Sequence, residues 1–207
     1  FKQKTAYDML ISDWSSDVCS SDLVEKIREE KDYKRQIEMF FEGYRKVKEV
    51  ANGTIDVFCG FEASYKGTDV LVYGWDEETT KLYPEIMSMT MREFINFVND
   101  NNGLTIQAHP FREANYIDHI RLFTETAGVE VYNSSRNYLC NKLGFEYYKA
   151  YNSEYGKCKT GGSDIHTSNL YMLGGMAFNE KIKSVSDFIK KVRKNEGVIF
   201  RKRNVTV

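Results

Sequence analysis

Short apolar runs closed by turn signals alternate along this chain with amphipathic stretches of helical period, and that alternation limits the fold more than any other feature. The strand-like runs are Ile55–Phe61, Val70–Tyr73, Leu104–Ala108 and Val129–Tyr132, with weaker ones at Lys157–Thr160 and Val198–Phe200. Ile27, Ile37, Phe40, Phe41, Tyr44, Val47 and Val50 recur at helical spacing, so Val24 to about Ala51 reads as one helical region stopped by Asn52-Gly53. Further helices are expected over Met91–Asn101, where Thr90 and Glu93 form a capping-box pattern, over Tyr116–Thr124 and Asn137–Tyr151, and over Asp187–Asn195 behind a Ser186 cap. Strand alternating with helix predicts an α/β layer or barrel with a largely parallel sheet, whose functional groups gather at the C-terminal ends of strands. No repeat or low-complexity tract divides it, so one domain is expected.

The first residues stand apart. Asp13-Trp-Ser-Ser-Asp-Val-Cys-Ser-Ser-Asp-Leu23 has neither helical nor strand period, and it matches the in-frame translation of a short-read sequencing adapter. Lys2-Gln-Lys-Thr-Ala-Tyr7 resembles the adapter's outer flank, with Asp8 departing from it. Residues 1–23 are accordingly read as non-native, with native sequence starting near Val24. A natural Ser/Asp linker is the other reading.

Composition excludes several function classes. The net charge is -1 and no long basic run occurs, so the chain shows no electrostatic footprint for nucleic acid. No stretch approaches the roughly 20 apolar residues that span a bilayer, and no leader pattern opens the chain, which gives a cytoplasmic expectation by default. Four scattered cysteines without C-x-x-C spacing read as reduced thiols. The many tyrosines and phenylalanines, Tyr147, Tyr148, Tyr151 and Tyr155 among them, suit packing better than stacking on bases. None of this sets an oligomeric state.

Three clusters follow strand-like runs: Cys59-Gly60-Phe61-Glu62, Gln107-Ala108-His109-Pro110-Phe111-Arg112 and Gly161-Gly162-Ser163-Asp164-Ile165-His166. Carboxylates and imidazoles gathered from different strand ends supply the charge and lone pairs that Zn²⁺, Mn²⁺ or Fe²⁺ requires. Taken singly, each is more often a turn or a cap.

The order Gly-x-Glu, then Ala-His-Pro, then Gly-Ser-Asp-x-His resembles the later motifs of the polymerase-and-histidinol-phosphatase (PHP) family, over Val24 to about Phe200. The resemblance implies a PHP-like domain over 24–207 and a distorted (β/α)7 TIM-like barrel, incomplete here, holding two or three divalent metal ions. It implies that Glu62 bridges two metals, that His109 and Asp164 each bind one of them, and that His166 binds the third. The implied activity is metal-dependent hydrolysis of a small phosphorylated substrate by metal-activated water. Fold alone does not choose that substrate. A non-catalytic PHP-like module, regulatory or structural, is the alternative.

Two departures qualify the resemblance. Family members usually begin with a His-x-His motif, whereas only His109, His119 and His166 occur here. Its absence is expected to reflect missing upstream sequence and to leave the chain as given a poor phosphatase. Asp69 stands where many members place a metal-binding histidine; as a ligand it would favour harder ions, and a strand-capping turn residue is the other reading. Arg112 is the expected grip on phosphate oxygens, against a salt bridge to Glu113 or Asp118. Glu130 flanks the strand Gly128–Asn133 and the 134–137 segment can line the pocket, while Asn133 reads first as a cap. His119 reads as structural within its helix, and Cys59 as a core residue.

Overall fold

The computed structural model describes residues 26, 27, 29–165 and 172–203. The tract 1–23 and His166 lie outside them. Helix α1 spans Tyr33–Phe40, with Asp32 as N-cap accepting from the Arg35 amide, and α2 spans Glu42–Ala51, ending at Asn52 in left-handed backbone. The single helix expected here breaks at Phe41, which has ψ near 3°. Phe40 and Phe41 both pack edge-to-face on Phe61, and successive residues of an unbroken helix do not share a face that narrow.

Strands β1 (Gly60–Tyr65) and β2 (Thr68–Tyr73) form a hairpin closed by Lys66-Gly67, both at positive φ (51° and 75°), which is what a two-residue turn matched to strand twist requires. After β2 come α3 (Glu77–Lys81), a 3-10 turn at Pro84–Ser88 and α4 (Met91–Asp100), the last opened by the Thr90/Glu93 capping box. β3 (Leu104–Gln107) then pairs antiparallel with β2 and parallel with β4 (Gly128–Asn133). Helix α5 (Tyr138–Tyr155), capped by Asn137, leads to β5 (Cys158–Gly162), parallel to β4 with a register shift between Glu130 and Tyr132. β6 (Met172–Ala177) and β7 (Val198–Arg203) make a separate antiparallel pair, and α6 (Val185–Arg193) between them is capped by Ser184 rather than Ser186.

The barrel expectation is therefore corrected. The main sheet is mixed and five-stranded, in the order β1-β2-β3-β4-β5, with a two-stranded sheet beside it. A TIM-like barrel needs parallel strands with a crossover helix between each, and a two-residue hairpin leaves room for neither. The helix expected over 116–124 is also absent. Gln107, fully buried, donates to the Arg121 carbonyl (2.7 Å) and accepts from the Phe123 amide (2.9 Å), and so fixes that segment as a loop.

Strand register separates two faces. Phe61, Ala63, Val70 and Val72 point to one, against Phe40, Phe41, Trp75, Phe94, Ile95 and Val98, and Val129 and Val131 continue it against Tyr147 and Tyr148 of α5. The other face carries Leu71, Tyr73, Leu104, Ile106 and Cys158, but only part of it is apolar; that part is covered by Ile189 and Val192 of α6. Glu62, Asp69 and Glu130 fall on this same face by register, beyond the reach of α6. Cys59, Cys140 and Cys158 are free and buried. Among the described residues, no helix is long and apolar enough to cross a membrane.

Candidate metal centre

At the edge of the sheet where β1, β3, β4 and β5 run out and β2 begins, a cavity of about 210 Å³ is lined by Glu62, His109, Glu130, Asn133 and Asp164 together with Leu71, Tyr73 and the Gly161-Gly162 backbone. Glu62 lies inside β1 rather than after a strand. Asp69 is the second residue of β2, which runs opposite to its neighbours, while His109 and Asp164 each follow a strand end by two residues. Antiparallel pairing thus brings the start of β2 to the ends of β3 and β5.

His109 is the centre of the group. Its Nε2 lies 3.6 Å from Glu62 Oε1, 3.6 Å from Asp69 Oδ2 and 3.9 Å from Asp164 Oδ2. Those separations are too long for hydrogen bonds. They suit donors sharing one ion, because ligands each about 2.0–2.2 Å from a metal lie roughly 3–4 Å apart. One donor atom from each of Glu62, Asp69 and His109 falls within 4.8 Å of the other two, which makes these three a candidate metal-binding group, with Asp164 beside it. The donor set of one imidazole and several carboxylates fits a divalent ion of the Mn, Zn or Fe kind.

The electrostatics follow from enclosing so many acids. Burial, and then the Arg112 and Arg136 guanidinium groups, push His109 down to about 3, against the pull of Asp164, so the imidazole is neutral with a lone pair to give. Glu62 is held well above the usual carboxylate range by burial first and then by Asp69, Asp164 and Glu130. Glu130 is raised to about 7, mainly by burial. The sign follows: between its ordinary 4.5 and about 7 the folded chain holds a proton that the unfolded chain has released, so stability falls as pH rises through that window. In chelator-treated protein, urea unfolding is expected to show a loss of about 2 kcal/mol from this group between pH 5 and 7, flattened in Glu130→Gln.

Two arginines balance the acids. Arg112 Nη2 lies 3.2 Å from Asp69 Oδ2 and donates to the Gly67 carbonyl (3.3 Å), with its guanidinium over the Tyr116 ring. Its acidic partner is therefore Asp69, and neither Glu113 nor Asp118; Asp118 pairs with Arg121 instead. Arg136 Nη2 lies 2.6 Å from Asp164 Oδ2. Among the described residues, the Nε atoms of both arginines are buried with no hydrogen-bond partner. Asp69 also accepts from the Ser64 hydroxyl, so it is no mere turn cap.

His119 is neither helical nor packed in a core; its side chain is 64% exposed on the 108–127 loop. Arg136 and Glu130 belong to the site more closely than their sequence context suggested. For Glu130 the available signal was a charged residue between Val129 and Val131 in a strand buried along its whole length. Asn133 does cap, accepting from the Ser135 amide, but its side-chain amide also donates to Glu130 and Asp164.

The fold and site together define an α/β domain with a mixed sheet and a candidate centre of one histidine and several carboxylates at the sheet edge. No family model and no curated protein matches the chain. Among solved structures it is similar to PsfC from Pseudomonas syringae PB-5123, with 18% identity and a TM-score of 0.49 over 81% of this chain and 74% of that one. At that level the likeness carries neither fold nor function across.

Proposed function

We propose that this chain binds a divalent metal ion through Glu62, Asp69 and His109, with Asp164 beside them, and that the site serves phosphoester hydrolysis of the PHP kind without the family's barrel. The observation that carries the reading is the approach of three carboxylate oxygens to one neutral imidazole nitrogen at distances that exclude hydrogen bonds and suit a shared cation. A bound ion of this type polarises a phosphoryl oxygen and lowers the pKa of its water. The chain's own part is to orient and to balance charge. Arg112 stands beside Asp69, and its planar donor array suits two oxygens of a phosphate. The cavity of about 210 Å³ has room for a phosphoryl group.

One observation favours a non-catalytic module instead: Asp69 and Asp164 already have arginine partners that neutralise them. The deciding experiment titrates Mn²⁺ and Zn²⁺ into chelator-treated protein and assays a small aryl phosphate over the same metal series. Saturable binding with slow, metal-dependent turnover that chelator abolishes is expected. Binding without turnover leaves the module, and failure of either metal to bind at millimolar concentration overturns the metal reading altogether.

A further inference from the structure

The geometry points to Glu130 and Asn133 as positioning residues, a polar pair on β4 that holds the His109 backbone and the Asp164 carboxylate where their roles require. The inference rests on the metal reading of those two residues.

Six non-glycine residues have positive φ among the described residues. Three are Asn and one is Lys66 of the hairpin turn, and Asn, Asp and His enter that region more readily than other side chains. The other two are His109 (φ 22°) and Asp164 (φ 49°), both in the candidate site. Such conformations persist where hydrogen bonds from the surroundings favour them. β4 lies between β3 and β5, and so between the two residues concerned. Glu130 Oε2 accepts from the His109 backbone amide at 2.9 Å and from Asn133 Nδ2 at 3.1 Å. Asn133 Nδ2 is also 3.3 Å from Asp164 Oδ2, and its orientation is set by the Ser135 amide, which donates to Oδ1 at 2.9 Å.

Both residues are buried, Glu130 at 5% exposure and Asn133 at 2%. A buried carboxyl group is costly, and an apolar residue would fill this position at lower cost unless the acid has work to do. The fold also makes space for it: a Cβ at Gly162 would come within 2.6 Å of Glu130 Oε1. Glu130 directs Oε2 at an amide and a side-chain donor, which separates its role from that of Glu62, Asp69 and His109.

The test compares Glu130→Leu and Glu130→Gln by hydrogen exchange at the His109 amide and by Mn²⁺ affinity in chelator competition. In Glu130→Leu, exchange at His109 is expected to accelerate at least about tenfold, and Mn²⁺ affinity to fall about 10- to 100-fold, the range of an outer-shell change. Glu130→Gln keeps an oxygen with two lone pairs, so both values are expected within about threefold of wild type. Unchanged exchange in Glu130→Leu, or an unprotected His109 amide in wild type, overturns the inference. Glu130→Gln as impaired as Glu130→Leu overturns it too, since charge and not hydrogen bonding would then be at work. Wild type that binds no Mn²⁺ removes the metal reading, while the exchange data still decide the positioning role. If Glu130→Leu does not fold, Asn133→Ala takes its place, with about a tenfold loss of Mn²⁺ affinity and an unchanged far-ultraviolet spectrum expected; wild-type affinity there overturns the inference.

Discussion

Replacing His109 by alanine is expected to lower divalent-metal affinity by more than about 100-fold, beyond the 10- to 100-fold typical of outer-shell changes. The reason is its central place. Nε2 is the atom that Glu62, Asp69 and Asp164 all approach, and it is the neutral donor among acids. Without it the carboxylates face one another with less to hold an ion between them, and Arg112 and Arg136 become their main counter-charges. Because metal binding stabilises the folded state by RT ln(1 + [L]/Kd), wild type at 100 times its Kd should gain about 2.7 kcal/mol, and the variant at the same concentration at most about 0.4. Thermal melts with and without Mn²⁺ read this directly. A variant stabilised by Mn²⁺ as strongly as wild type removes His109 from the ligand set. Asp69→Asn gives an internal comparison: it keeps a carbonyl oxygen but loses the charge, so an intermediate loss is expected.

The second large effect is on stability. Phe94→Ala is expected to cost about 3–5 kcal/mol, a substantial share of the 5–15 kcal/mol that holds a typical domain folded. Phe94 is 1% exposed on α4, with Met91, Ile95 and Val98 of the same helix, and its ring meets Trp75 edge-on at 6.4 Å. The apolar face of β1 and β2 is closed by this helix and α1, so the lost ring leaves a cavity that neighbours packed on both sides can fill only in part. Urea unfolding checks it, and a loss below about 1 kcal/mol would mean that the core there collapses freely. Since α4 covers the face opposite to the site, Mn²⁺ affinity of the folded variant should stay within a few fold of wild type. That separates the two predictions.

What the sequence determined by itself was local. Capping chemistry is carried by a few adjacent residues, so the Thr90/Glu93 box could be read directly, as could the apolar runs of β2, β3 and β4, whereas the cap expected at Ser186 falls at Ser184. The three motif clusters supplied Glu62, His109 and Asp164 as candidates, and a position where the resemblance implied a histidine supplied Asp69. Strand direction was not legible in the same way. The Lys66-Gly67 turn is a two-residue signal whose consequence, an antiparallel hairpin in place of a crossover, appears only when the strands pair, and it turned an expected barrel into a mixed open sheet. Only the tertiary structure decided which residues meet at the site. Arg136 and Asp164 are far apart in sequence, as are Glu130 and the His109 amide, and they meet because parallel pairing of β3, β4 and β5 brings three strand ends to one edge. Side-chain alternation then puts Glu130 on the face of Glu62 and Asp69, while Val129 and Val131 on either side of it turn into the core.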